Sequence, residues 1–420
     1  MDRKIQTSLI TKTLAVAITA AMASTVQAAS TEQQQIQELR QEVQALKALI
    51  QQQQQVQQQQ QVQIQQVQAQ PAPAAKSASP FSLKSKGGAE VNLYGFVRGD
   101  ANYIVEGADN DFNSVHTSTG AAKDKLRATP KTTRLGLDFS SPVGDRKVGG
   151  KIEVDFAGTN DALRIRHAYL TLDNWLLGQT TSNFLSNHAP EMIDFGTNVG
   201  GGTTRIPQVR YSHKLAPATQ LLVSAEEGNS SATGSDVTYR VPTVTAKLTQ
   251  GFAEGKGAAS ARALVEHYKA ESGDDKTGWG VAAGVNYQVA EPLKVSADVS
   301  YVQGNSNYLY GSNSAFYVNQ ENGDIEQNEF TAFQVGATYK FAPNLRSTLG
   351  YGAIFADDGT DYAVLNRSAN EEVYQAWLNF IYSPVKPVDL GIEYINGERE
   401  TFAGNKFKDN RFGLMARYNF

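Results

Sequence analysis

The 420-residue chain contains no cysteine, which excludes disulfide frameworks, CxxC redox pairs, thiolate metal sites and a cysteine nucleophile together. Histidine is scarce: His116, His167, His188, His213 and His267 fall in no HExxH or other ligand spacing, so neither a metal nor any other cofactor is expected. No GxSxG occurs, and the Gly-rich stretch from Gly251 to Gly257 lacks the GxxxxGK[ST] of a phosphate cradle. Asp109, Asp111 and Asn113 copy the first half of a calcium loop, but Ser114 stands where glycine is required and Gly120 where the closing glutamate is required. They read as a surface loop. After residue 30 no apolar run approaches the roughly 20 residues of a membrane-spanning helix. A net charge of −4 excludes a strongly basic nucleic-acid binder. The mean hydropathy of −0.39 resembles a soluble protein. It equally fits a transmembrane β-barrel, whose strands need apolar residues only at alternate positions.

What is present divides into four parts. Residues 1–28 carry Arg3, Lys4 and Lys12, an apolar run from Leu14 to Ala23, and Val26-Gln27-Ala28, which reads as a secretory leader. In residues 31–70, 21 positions are Gln. Ile36, Val43, Ile50 and Ile64 share one seven-residue series, and Leu39, Leu46 and Val67 share the series three positions later, which predicts a parallel coiled coil. Gln53, Gln57 and Gln60 weaken its middle. The Ala/Pro/Ser-rich residues 71–89 form a semi-extended spacer.

From residue 90 to 420 the period is two. Phe412, Leu414, Ala416, Tyr418 and Phe420 alternate with Arg411, Gly413, Met415, Arg417 and Asn419, and similar rows begin at Trp279, Leu293, Phe333, Leu349 and Tyr374. Aromatics collect at the ends of the rows, as at Trp279 and Tyr287, where interfacial girdles lie in a membrane barrel. Short links such as Leu215-Ala216-Pro217 and Ala342-Pro343-Asn344 alternate with long polar stretches near 104–130, 182–204, 228–239, 304–327, 357–369 and 400–408. The expected fold is all-β: a 16-stranded antiparallel transmembrane β-barrel, preceded by a periplasmic α-helical coiled coil, with both barrel termini on the side of the short turns.

Val91-Asn92-Leu93-Tyr94-Gly95, Arg134-Leu135-Gly136-Leu137, Arg166-His167-Ala168-Tyr169-Leu170, Leu177-Gly178-Gln179 and the terminal Tyr418 and Phe420 resemble general bacterial outer-membrane porins. The heptad segment and its spacer are similar to the DcaP-like porin subgroup. The resemblance implies an outer-membrane homotrimer with its N-terminal segment in the periplasm, embedded in lipid and lipopolysaccharide, and admitting dicarboxylates. It marks Tyr418 and Phe420 as an assembly signal. Position in this order, rather than a matching acidic motif, makes 181–204 the constriction loop, with His188, Glu191 and Asp194 on it.

A sixteen-stranded barrel leaves an aqueous lumen. Arg98, Arg134, Arg164, Arg166, Arg210, Arg411 and Arg417 lie on the polar faces of the first six strands and the last, one contiguous half of the wall. Facing Glu191 and Asp194, they would set up a transverse field and a ladder of weak anion sites. Alternatively, they pair with Asp100, Asp138, Glu153 and Asp155 and leave an unselective wall. The resemblance favours the anion channel. A Ser/His pair of the kind found in a barrel phospholipase has no motif behind it, and no enzymatic activity is expected. The other functional expectation is a structural anchor whose coiled coil contacts peptidoglycan or a periplasmic partner.

Overall fold

The computed structural model describes residues 82–194, 198–235 and 237–420. The expected leader at 1–28, the coiled coil at 31–70 and most of the spacer at 71–89 lie outside the described residues. The spacer's last part contributes a short strand, Ser82–Lys84, antiparallel to the residues from Glu90 to Asn92.

Sixteen antiparallel strands follow: β1 (Glu90–Gly107), β2 (Ala122–Thr129 and Arg134–Val143), β3 (Arg146–Asp155), β4 (Arg164–Leu172), β5 (Trp175–Thr181), β6 (Arg205–Ala216), β7 (Thr219–Glu226), β8 (Thr243–Phe252), β9 (Gly257–Ala270), β10 (Asp275–Ala290), β11 (Leu293–Gln303), β12 (Glu329–Ala342), β13 (Leu345–Ala356), β14 (Asn370–Val385), β15 (Val388–Thr401) and β16 (Lys406–Asn419). Each pairs with the next, and β16 pairs with β1 from Phe96↔Asn419 upward, so the sheet closes and has no free edge. Phe420 completes the seam: its N–H donates to the Gly95 carbonyl at 3.0 Å, and the Gly95 N–H donates back at 3.1 Å.

β2 is broken at Pro130, its upper piece pairing with the upper half of β1 and its lower piece with the lower half. The upper piece lies inside the expected loop 104–130. Its sequence, Ala-Lys-Asp-Lys-Leu-Arg-Ala-Thr, shows little apolar alternation because its bases face the acids of the first loop. Lys125 and Arg127 bond Asp109 at 2.7 and 2.8 Å, and Arg127 bonds Asp111 at 2.7 Å. Those hydrogen bonds hold the Asp109 carboxyl below its ordinary range.

Residues 144–145, 173–174, 217–218, 253–256, 291–292, 343–344 and 386–387 are tight turns at one end. At the other end lie 108–121, 156–163, 182–204, 227–242, 271–274, 304–328, 357–369 and 402–405. Outward residues are apolar and aromatic in two belts. One, on the turn side, holds Trp175 against Tyr211 at 4.8 Å and Phe252 against Tyr287 at 5.9 Å; the other holds Trp279 against Tyr301 at 5.2 Å and Tyr394 against Phe412 at 4.8 Å. The wall is uneven. β3, β4 and β5 have 10, 9 and 7 residues, whereas β14 has 16 and β15 and β16 have 14 each.

Candidate functional site

The third loop-side connection, 182–204, leaves β5 and enters the lumen, where side chains of many strands hold its backbone. Lys247 donates to the Leu185 carbonyl at 2.7 Å, and Arg98 to that of Ile193 at 2.7 Å. Glu393 accepts the N–H groups of Ile193 and Asp194 at 2.8 and 2.9 Å. Trp377 and Asn379 each donate to the Glu191 carbonyl at 3.0 Å. A buried loop needs partners for its backbone polar groups, and the wall supplies them. His188 is wedged between β9 and β10: Asn286 donates to its Nδ1 at 3.0 Å, so Nε2 carries the proton and donates to Ser260 at 2.9 Å. Burial, reinforced by Arg262, Lys247 and Lys294, lowers the His188 pKa to about 4 and keeps the ring neutral.

One half of the lumen is filled. Leu264, Ala282, Val302, Phe330, Ala332, Ile354 and Val373 point inward from β9 to β14 and form one apolar core with Val115, Phe184, Leu185, Val199, Tyr308 and Leu309 from the loops. Trp377 and Ile395 pack on Met192 beside it. The alternation pattern misses this core, yet the sequence carries its signal. Tyr301-Val302, Ile354-Phe355, Val373-Tyr374 and Trp377-Leu378 put apolar residues on both faces of their strands.

The other half holds a cavity of about 890 Å³ on the turn side of the loop, walled by the first eight strands and the chain's end. Arg134, Lys151, Arg210, Lys214, Lys247 and Lys386 line it, with Glu153 and Asp173 as the lining carboxylates. A smaller gap of about 150 Å³ beside the loop tip is lined by Arg98, Arg134, Arg417 and Glu191 among others.

The seven arginines singled out in the sequence divide between these surroundings. Arg98 forks onto Asp100 at 2.5 Å, Arg411 onto Asp409 at 2.8 Å, and Arg417 meets Asp389 at 2.5 Å. Arg164 holds Asp155 at 2.7 Å, and Arg166 bridges Glu153 and Asp155 at 2.8 Å each. Arg134 lies 3.4 Å from Glu153 and also lines both spaces. Arg210 bonds the Gln208 side chain at 2.9 Å and the Thr181 carbonyl. The expected transverse field, with this row facing Glu191 and Asp194, takes another form. Glu191 is forked by Arg346 of the opposite wall at 2.7 Å on each arm, and Asp194 accepts the Asn113 N–H at 2.5 Å. Most arginines are held by a carboxylate close in sequence or on the next strand, which shortens their reach.

A bulge opposite Glu153 sets part of the lining. It turns both Arg166 and His167 inward, where strict alternation would admit one. Lys151 and Lys247 stand inside β3 and β8 and fall outside a row that counted arginines alone, whereas Lys214 near a strand end and Lys386 in a turn read as solvated residues. At the seam, Tyr418 is outward and exposed, while Phe420 reaches the cavity.

The family described as DcaP outer membrane protein matches residues 15–420. The crystal structure of the outer membrane channel DcaP of Acinetobacter baumannii is similar at 68% sequence identity and a TM-score of 0.78, over 80% of this chain and 99% of that one. The trimer form of OmpT of Vibrio cholerae shares the fold at 15% identity and a TM-score of 0.53, over 79% and 99% of the two chains. An anion-selective porin from Comamonas acidovorans does so at 13% identity and a TM-score of 0.55, over 79% and 100%. Among curated proteins none matches the sequence.

Proposed function

The chain belongs to the DcaP outer membrane protein family and forms an outer-membrane channel, and we propose that it passes small hydrophilic anions, dicarboxylates among them, by passive diffusion. The observation that carries this reading is the charge of the open half of the lumen, where six cationic side chains face two carboxylates. The apolar core on the other side confines passage to this half, so the local field rather than the net charge of −4 acts on a solute. The loop bearing His188, Glu191 and Asp194 is the constriction, since it occupies the lumen above the cavity. Arg134 and Arg210 act on the solute directly. Arg98, Arg164, Arg166, Arg411 and Arg417 act through the carboxylates they hold.

The channel is a homotrimer in this reading. A lipid-facing strand needs roughly 9–11 residues plus aromatic ends, so the short wall at β4 and β5 is better covered by a second copy than by lipid. Lipid and lipopolysaccharide cover the rest. Residues 31–70 form a periplasmic coiled coil after removal of 1–28, joined to the barrel through 71–89. The filled half-lumen lends some support to the second reading, an anchor whose coil contacts peptidoglycan or a periplasmic partner.

Liposome swelling separates these. Proteoliposomes should admit succinate faster than an uncharged solute of similar size, and that faster than a diamine. Equal rates for all three would remove the anion preference, and no swelling at all would favour the anchor.

A further inference from the structure

Lys214 and Lys386 of the cavity are exposed; of its four less exposed cationic side chains, Arg134 and Lys151 meet carboxylates, and Arg210 and Lys247 form no ion pair among the described residues. Arg210 of β6 uses Nε on the Gln208 side chain and Nη2 on the Thr181 carbonyl, which leaves Nη1 without a partner there. Lys247 of β8, 5% exposed, donates to the Leu185 carbonyl at 2.7 Å and to Asn187 Oδ1 at 3.2 Å. An ammonium has three donors, so one remains. The nearby carboxylates are engaged elsewhere. Asp298 is taken by Arg262 at 2.7 Å and by Ser186 at 2.6 Å, and Glu226 by Thr245 at 2.6 Å and Tyr308 at 3.0 Å.

Arg210 and Lys247 repel one another across β7. Arg210 lies level with Ser224, and Ser224 with Thr245, two positions from Lys247 on the same inner face. At about 4.8 Å per strand and about 3.4 Å per residue along it, their backbones are roughly 12 Å apart, and two long side chains can close on one small ligand. Glu226 and Asp298 offset part of this repulsion from a distance without bonding either side chain, and a carboxylate arriving from the cavity would add a direct partner.

We propose that Arg210 and Lys247 form an anion-binding subsite on the conduction path, which a dicarboxylate bridges with one carboxylate on each. The subsite rests on the anion-channel reading and gives that reading a location. Arg210 supplies a planar donor and Lys247 a point charge, so a dianion gains two anchors where a monoanion gains one. Because Lys247 also holds Leu185 and Asn187, the occupant sits at the foot of the third loop.

The test is block of chloride current by succinate, with acetate as the one-carboxylate comparison, in single trimers of the full-length protein in planar bilayers. Wild type should be blocked more strongly by succinate than by acetate. Arg210→Gln and Lys247→Met should each raise the succinate concentration for half-block on the order of tenfold, the loss of one charge-assisted bond, and bring it towards that of acetate. Lys406→Ala, exposed at the loop-side start of β16 and paired with Glu400 away from the cavity, should leave block unchanged. Succinate block unaltered in both subsite variants, in a channel that still prefers anions, overturns the subsite and leaves the broader reading standing. A wild type that prefers cations overturns the broader reading itself. Should Lys247→Met fail to assemble because its loop contacts are lost, Arg210→Gln and Arg210→Lys decide alone: weakened block supports the subsite and unchanged block overturns it.

Discussion

The Glu393 carboxylate on β15 accepts the backbone N–H of Asp194 at 2.9 Å, across 199 residues of chain. With its second oxygen on Ile193 and a further bond from Asn379, it clamps the tip of the lumen loop.

Replacing Glu393 with Ala leaves two buried N–H groups unpaired, at a cost of about 1–3 kcal/mol each. The loop tip should come loose, and single-channel recordings should show higher conductance with rapid flicker. Glu393→Gln retains one acceptor and should lie between. A Glu393→Ala channel as quiet as wild type would mean the clamp is redundant.

Glu191 and Arg346 are partly exposed, so their coupling in a double-mutant cycle on stability should be about 1 kcal/mol or less. Selectivity is the more sensitive readout. Arg346→Ala leaves the Glu191 charge uncompensated at the gap beside Arg98 and Arg417 and should weaken anion preference; Glu191→Gln should strengthen it. The double variant should return near wild type in reversal potential.

A methyl group added at Gly350 would overlap the Trp377 ring, and Trp377 donates to the Glu191 carbonyl. Gly350→Ala must displace the indole, an overpacking cost of about 1–3 kcal/mol. The temperature at which the barrel loses its compact gel mobility should fall, and channel noise should rise.

Acid should loosen the loop through His188. Its pKa falls from the ordinary 6.5 to about 4 in the seated loop. The stabilisation is therefore complete above about 6.5, declines as the unseated form takes up a proton, and is lost as pH falls through about 4. Current noise should grow across that window in wild type and much less in His188→Gln.

The barrel was legible because closure against lipid imposes a strict period on the outer face, and Phe412 to Phe420 display it openly. The third loop was legible from its place in the strand order. The filled half-lumen was not, since Val302, Phe330 and Trp377 look like breaks in alternation until loop residues such as Tyr308 and Leu309 are seen against them. The pairing of Arg98 with Asp100 was one of the two alternatives the sequence offered, and that of Arg411 with Asp409 follows from the same spacing: each acid stands two residues away, which places the pair on one strand face. The bulge that turns Arg166 and His167 together has no such mark.

The central claim is that the open half of the lumen favours anions. The reversal potential of the purified wild-type channel in a planar bilayer, under a potassium chloride gradient, tests it most directly. The account predicts the sign of a chloride-preferring channel, with a shift towards zero when Arg134, Arg210 and Lys247 are neutralised together. A cation-preferring potential, or a chloride preference untouched by removing those three charges, would contradict it.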